Sequence, residues 1–381
     1  MRVLFMITRD WLNPAASGGD IAPSENARYL ALKGHSVTML VSSFPGASWE
    51  ETVDGVRIVR LGPVLSLSLV TFIHYVRHCR GRYDVIVEEG FGGSRIPRFA
   101  PLYVKEPIIT EWHQVHHALF ASQYPRILTP ALDLLERLTA YLHRNALVRA
   151  GTSEWQEAFV GLGFKRENVF VLPVSIRESW LSKDVSEPAA GRVSEPRVVW
   201  LGKFRRYKCP DHVVMAMKKV VTQMPQARLI LVGRHDDRRY ERKLQRLVTE
   251  LGLEENVEFR FNVSEEEKKS ILRGSRALVL PSPVEGFGIV VLEANACGIP
   301  VVASTGVPEG AVQHEYNGLR YPFGDIDALS WSIIRLLKDD ELHLRLSANG
   351  LEFSEQFAWS RIGMQFEEIV KGTMAVGSVQ A

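Results

Sequence analysis

The chain has 381 residues, more than one hydrophobic core usually serves, so two domains are expected. Lys and Arg number 46 against 44 Asp and Glu, a net charge of +2 that excludes the basic footprint of a nucleic-acid binder. A hydrophobic content of 46% with 24% charged residues excludes a disordered or fibrous chain.

The first apolar run, residues 3–7, ends at Thr8-Arg9-Asp10. It is too short for a signal-peptide core and reads as a buried first strand. Further strands are expected at 36–41, 56–61, 85–88, 108–111, 147–150 and 169–172, with helices between them such as 24–33 and 131–144. Residues 64–76 form the longest apolar stretch, short of the roughly 20 residues that span a bilayer, so no transmembrane helix is expected. Within it Leu65, Leu69, Phe72, Ile73 and Val76 recur at near-helical spacing, followed by Arg77, Arg80 and Arg82. Such a helix either packs on the core or lies in a lipid interface.

The alternation lapses between Pro173 and Arg197, where residues 183–196 are rich in Pro, Ser, Gly and charge and read as an exposed linker. It restarts with strands at 197–201, 228–232, 257–261, 277–280 and 301–303. Ser264 with Glu267 reads as a capping box, and two helices, about 340–349 and 359–370, close the chain. Strand-helix alternation implies parallel sheets covered on both faces. The fold class is therefore α/β, with two Rossmann-like doubly wound domains facing across a cleft. Cys79, Cys209 and Cys297 are odd in number and lack C-x-x-C spacing, which points away from a disulfide framework and toward a reducing cytoplasm.

Four loops could carry chemistry. After the strand ending at Leu280, Glu285 is followed by Gly286, Phe287 and Gly288, whose glycines permit tight turning and close backbone approach. A helix start just beyond them makes an anion site, and Glu293 follows eight residues after Glu285. Were the whole interval helical, the two carboxylates would lie about 12 Å apart along the axis. The second loop places Lys203, Arg205, Arg206 and Lys208 just after a strand, cations suited to a diphosphate. Not all four can point inward. The third, Ser17 with Gly18, Gly19 and Asp20, lies between the first strand and the first helix, and no intact G-x-G-x-x-G follows that strand. The fourth carries His113, His116 and His117. His113 could hydrogen-bond a hydroxyl from a strand end; a metal would need a third ligand that the sequence does not identify.

Together these segments resemble the family 4 glycosyltransferases, retaining enzymes of GT-B fold, over nearly the whole chain. The strongest elements are Pro281-Ser282, Glu285 to Gly288, Leu292-Glu293-Ala294 and Gly298 to Ala303, which look like the family's E-x7-E signature in its usual setting. Gly18-Gly19, Gly34-His35, Pro308-Glu309 and Asn317-Gly318 support it. The resemblance implies an N-terminal acceptor-side domain over 1–180 and a C-terminal donor-binding domain over 190–356. A final helix within 357–381 would cross back to the first domain.

It also implies a nucleotide-diphosphate sugar as donor and a glycan, lipid-linked or small-molecule acceptor. No cofactor and no metal are expected. Peripheral contact with the inner face of the plasma membrane is implied by relatives that use lipid-linked acceptors. Gly18, Gly19, Lys203, Arg206, Lys208, Glu285, Gly286, Phe287, Gly288 and Glu293 form the implied donor-binding set. Glu285 would lie near sugar hydroxyls, Glu293 would bind the ribose, Lys208 would hold the diphosphate, and His113 would line the reaction centre.

Against the family's G-R-L-x-x-x-K-G, Lys203 replaces Arg and Cys209 replaces the final Gly. Val174-Ser175 replaces the Asn-Gly common at the end of the first domain. A nucleotide-sugar 2-epimerase of the same fold and a non-catalytic nucleotide-sugar-binding subunit remain as alternatives.

Overall fold

The computed structural model describes residues 1–91, 97–117, 119–120, 124–125, 127–181 and 196–377. The chain forms two compact units, one of Met1–Ser175 with Trp359–Ala381, the other of Ile176–Ala358. Apart from Pro196, the stretch read as a linker lies outside the described residues.

The first unit is built on eight strands: β1 (Arg2–Met6), β2 (Ser36–Val41), β3 (Glu50–Val53), β4 (Val56–Arg60), β5 (Val85–Glu89), β6 (Ile108–Glu111), β7 (Leu147–Ala150) and β8 (Val169–Val171). Their order is β3-β4-β2-β1-β5-β6-β7-β8, parallel except for the β3–β4 hairpin. The central strands are apolar along their length because both faces are covered. Val3 and Phe5 face α1 (Gly18–Leu32) through Ala27 and Leu30, while Leu4 and Met6 face the opposite layer with Tyr75 and Cys79.

That opposite layer begins with α2 (Leu67–His74), which continues as a π-helical turn, Tyr75–Cys79. It also holds α3 (Thr129–Leu142), whose Ala140 packs with Val148. The pairings Glu88 with Thr110 and Thr110 with Val148 put Val148 on the same face as Ile86. Hence α2 and α3 share one side of the sheet. Helix α4 (Ser153–Leu162) follows β7 and is capped by Thr152, whose hydroxyl accepts from the Trp155 N–H.

The second unit holds β9 (Arg197–Lys203), β10 (Arg228–Arg234), β11 (Val257–Phe261), β12 (Ala277–Leu280), β13 (Val301–Ser304) and β14 (Gly318–Tyr321) in the order β11-β10-β9-β12-β13-β14, all parallel. Its helices are α5 (Pro210–Gln223), α6 (Arg238–Glu250), α7 (Glu265–Arg273), α8 (Ile289–Ala296), α9 (Ile326–Lys338) and α10 (Asp340–Glu355). Ser264 caps α7 by accepting from the Glu267 N–H. The last helix, α11 (Trp359–Gly377), belongs to the first unit, where Ile362, Phe366 and Val370 join the core with Phe5 and Leu30.

Two strands escaped the sequence reading. β3 is the outer arm of a hairpin whose turn is Asp54-Gly55, both at positive φ (52° and 77°), a strong two-residue hairpin signal. β14 has only four residues and offers no alternation to read.

Candidate functional site

In both units the chain order fixes where a ligand crevice opens. In the second, β9 leads to β10 and β11 on one side, while β12, β13 and β14 extend on the other. The order therefore reverses between β9 and β12, and ligands bind beyond the carboxyl ends of strands at such a point. The two loops that leave these strands are the basic loop and the Glu285 loop.

After β12 the chain turns through Pro281 to Gly288 before entering α8. Gly288 is the N-cap at φ 91°, a left-handed conformation that glycine alone adopts freely. The Glu285 N–H donates to the Gly306 carbonyl at 3.0 Å. A Cβ on Gly306 would fall 2.2 Å from the Pro283 carbonyl oxygen, so the loop after β13 buttresses this one backbone to backbone. Phe287 is buried edge-on against Phe357, with centroids 5.3 Å apart, and Gly286 is half-buried between it and Glu285. At the start of α8 the first N–H groups lack intrahelical acceptors and carry the positive end of the dipole.

After β9 a single 3-10 turn, Arg206–Lys208, leads into α5, with Pro210 in its first turn. Cys209 between them takes φ 48°, the left-handed region. The turn that glycine would make is therefore kept, with a side chain in it. Lys208 Nζ donates to Glu285 Oε1 at 2.5 Å. Burial opposes the lysine charge, but Glu285 outweighs it and holds the ammonium above the usual lysine range.

The other cations diverge. The Arg205 guanidinium pairs with Asp236. Arg206 is exposed and has no carboxylate partner among the described residues. Lys203 ends β9 opposite Arg234 of β10. Of these cations, Lys208 is seen to pair with Glu285.

Glu293 lies within α8, and both glutamates are buried. Because only Ile289–Ala296 is helical, the interval from Glu285 is half loop and the 12 Å helical separation does not apply. Glu293 Oε1 accepts from Lys268 Nζ at 2.6 Å, while Oε2 is buried without a partner among the described residues. Lys268 was missed from the sequence. It sits in the charged run of α7, and nothing in that run singles it out.

In the first unit the order reverses between β1 and β5. The pair Gly18-Gly19 does not form the turn before the helix, as the sequence suggested; the two are the first residues of α1, and Ser17 is the N-cap. Ser17 donates its N–H to Asp20 Oδ2 at 2.8 Å, which closes the first turn from its third position. That cap lets the helix start at the glycines despite their poor propensity.

Asp20 is buried, and burial together with Glu89 pushes its carboxyl up, Arg9 at 3.6 Å working against them. Glu89, at the end of β5, accepts from the Thr8 N–H at 3.0 Å and from the Thr8 hydroxyl. Asp20 was read from the sequence only as part of the Ser17–Asp20 loop, and Thr8, Arg9 and Glu89 were given no role, because the four come together only across the β1/β5 reversal.

His113 follows β6, and a Cβ on Gly19 would lie 3.2 Å from its Cδ2 and Nε2. Nε2 is buried without a partner among the described residues. His116 Nδ1 instead pairs with Glu136 Oε1 at 2.7 Å, and His117 Nδ1 with Asp133 Oδ2 at 2.7 Å. The three histidines thus go to three different neighbours. Among the described residues no group of three or more His, Cys, Asp or Glu could hold a metal ion.

The chain is similar to known proteins along most of its length. The profile described as "Glycosyl transferases group 1" matches residues 184–353, and that of a "Glycosyl transferase 4-like domain" matches 17–175. An uncharacterized glycosyltransferase of Methanocaldococcus jannaschii is 30% identical over 91% of this chain and 92% of its own length. N-acetyl-alpha-D-glucosaminyl L-malate synthase of Bacillus anthracis is 37% identical, over 46% of this chain and 45% of that protein. With that relative, and with several others, the match spans less than half of the relative's length.

Among solved structures, sucrose-phosphate synthase of Thermosynechococcus elongatus superposes with a TM-score of 0.80 at 23% identity, covering 99% of this chain and all (100%) of that one. Anabaena HepE in complex with UDP-glucose gives 0.74 at 19%, covering 98% and 100%. The profiles, the archaeal relative and the superpositions converge: this chain belongs to the group 1 glycosyltransferases and has the GT-B fold.

Proposed function

We propose that this glycosyltransferase moves a hexose from a nucleotide-diphosphate sugar to an acceptor hydroxyl, with retention of anomeric configuration and without a metal. The observation that carries the reading is the meeting of Lys208, Glu285 and the start of α8 at the β9/β12 reversal. The donor diphosphate takes the α8 N–H groups and Lys208, with Lys203 and exposed Arg206 as further cations. Glu285 accepts from sugar hydroxyls and Glu293 from the ribose. The backbones of Gly286 and Gly288 approach the sugar and phosphates, and Phe287 fixes the loop from behind. Gly18, Gly19 and His113 are assigned to the reaction centre on the acceptor side.

Chemically, the protein aligns two substrates and stabilises the departing charge. The leaving phosphate accepts the acceptor hydroxyl's proton on the same face of the sugar, so no protein base is needed there. A donor of α configuration then gives an α-glycoside. Proton NMR of the first-formed product reads the anomeric coupling; a β-linked product from an α-linked gluco- or manno-configured donor would refute retention while leaving the family assignment untouched. Turnover that persists in EDTA is the companion expectation, because Lys208 and the helix start take the place of a divalent ion.

For the acceptor we favour a glycan or lipid-linked sugar at the cytoplasmic face of a membrane. Leu65, Leu69, Phe72, Ile73 and Val76 are all exposed, ahead of Arg77, Arg80 and Arg82. On the same side of the sheet α3 exposes Leu134, Leu138 and Tyr141 beside Arg137 and Arg144. Apolar stripes with basic flanks suit an anionic lipid surface. No helix of the described residues is long and apolar enough to cross a membrane, so the contact would be peripheral. Flotation with phosphatidylserine-containing liposomes at low salt, lost at high salt, is the expected behaviour; indifference to such liposomes would dispose of it. A corynebacterial relative, 33% identical over 43% of this chain, is a GDP-mannose-dependent phosphatidylinositol monomannoside mannosyltransferase, which favours a lipid-linked acceptor.

A further inference from the structure

Glu293 is approached by a cation from another element. Lys268, on α7, holds Glu293 Oε1 at 2.6 Å, and its ammonium lies 4.8 Å from the centroid of the Trp180 ring. Trp180 ends a short 3-10 turn, Glu178–Trp180, and is buried, so its indole face is a fixed wall. The neighbouring Lys269 lies 5.2 Å from the centroid of the same ring but pairs with Glu265 and Glu266 rather than with Glu293. Lys268 is thus fixed between an aromatic face and a carboxylate, an arrangement that favours a cation on both sides.

The other oxygen of the same carboxylate, Oε2, is buried with no partner among the described residues. A buried acceptor left unsatisfied is costly, and in a native protein it calls for a ligand or a water. A glutamate's terminal torsion is broad, so an untethered carboxylate would swing its oxygens away from any one direction.

We propose that Lys268 is a positioning residue for donor recognition: by tethering Oε1 it presents Glu293 Oε2 to the ribose hydroxyls of the nucleotide. This rests on the reading of Glu293 as the ribose ligand. Lys268 itself touches neither sugar nor phosphate. Its replacement should therefore act on discrimination between ribose and deoxyribose rather than on the transfer step.

The test is calorimetric titration of the full chain with UDP, GDP and ADP, taking the one that binds and comparing it with its 2′-deoxy and 3′-deoxy forms. Loss of a hydrogen bond to a charged group should weaken the wild-type protein for at least one deoxy form by about tenfold or more. Lys268→Met should weaken the ribonucleotide by a similar factor and bring the ribo-to-deoxy ratio close to one. Lys268→Arg should retain most of that ratio, and circular dichroism checks the fold of each variant. Equal wild-type affinity for all three sugars would overturn the ribose reading of Glu293 itself. A wild-type penalty that Lys268→Met leaves intact, or tighter ribonucleotide binding by that variant, would overturn the role of Lys268 while Glu293 stands. Should Lys268→Met fail to fold, the ratio measured in Lys268→Gln decides between the same outcomes.

Discussion

Lys208 and Cys209 are adjacent, one proposed to serve the chemistry and the other holding a turn of the backbone. Lys208→Ala removes the cation beside Glu285, and loss of one such contact to a leaving group costs about 10²–10³ in turnover. Steady-state kinetics on the folded variant should show that fall chiefly in kcat; near-normal turnover would contradict the assignment. Cys209 carries a left-handed φ of 48°, which costs a residue with a Cβ about 1–2 kcal/mol. Cys209→Gly should therefore be more stable than Cys209→Ala by about 1 kcal/mol, since glycine adopts the left-handed φ freely and is also preferred over alanine at an N-cap. Urea denaturation of the two variants decides it, and equal midpoints would mean that the turn is not held left-handed. At this scale the sequence brought out residues that lie close together along the chain, Glu285, Gly288 and Glu293, and the fold joins Lys208 to the first of them. It was silent on Lys268, Thr8 and Glu89, whose partners are brought to them only by the fold.

Among the elements, the parallel strands were the most legible, because burial on both faces writes them as short unbroken apolar runs. The hairpin arm β3 was not, since Glu50 to Val53 is half exposed and polar, although Asp54-Gly55 carried the signal for it. The start of α1 was misplaced because its first two residues are glycines; the capping by Ser17 and Asp20 overrides their propensity. Helix α10 offers a test of how tightly an element is sealed. Its His343 is buried, with Nε2 2.9 Å from the Arg276 carbonyl, and burial pushes its pKa down to about 4. The unfolded chain, with an ordinary histidine pKa near 6.5, binds the proton more readily. The associated stability is therefore present above pH 6.5 and lost as pH falls from there toward 4, by about 3 kcal/mol in all. Urea midpoints across that window should decline more steeply for the wild type than for His343→Gln; parallel declines would show that His343 is protonated without penalty.

At the scale of the whole molecule, the first unit is made from two separate stretches of chain, and α11 is the second of them. Trp359 Nε1 donates to the Glu25 carbonyl at 2.9 Å, and the ring stands edge-on to Tyr29 at 5.7 Å. Gly363 meets the same tyrosine so closely that a Cβ there would fall 2.3 Å from its ring. Gly363→Ala should thus destabilise by about 1–3 kcal/mol through overpacking, against the gain of up to 1 kcal/mol that alanine brings to a free helix. Thermal denaturation checks the sign, and a raised Tm would mean that α11 can shift away from α1. The sequence marked α11 as a helix and the resemblance implied its return to the first domain; the fold adds which core residues it meets. The second unit, by contrast, is continuous, and its two ends meet: the Ile176 N–H donates to the Phe357 carbonyl at 2.8 Å. During synthesis the order of completion is therefore inverted. The second unit can close as soon as Ala358 has left the ribosome, whereas the first, although translated earlier, waits with Phe5, Leu30 and their neighbours uncovered until α11 emerges. For that interval the nascent chain presents an open apolar seam, and the domain made first is the last to become native.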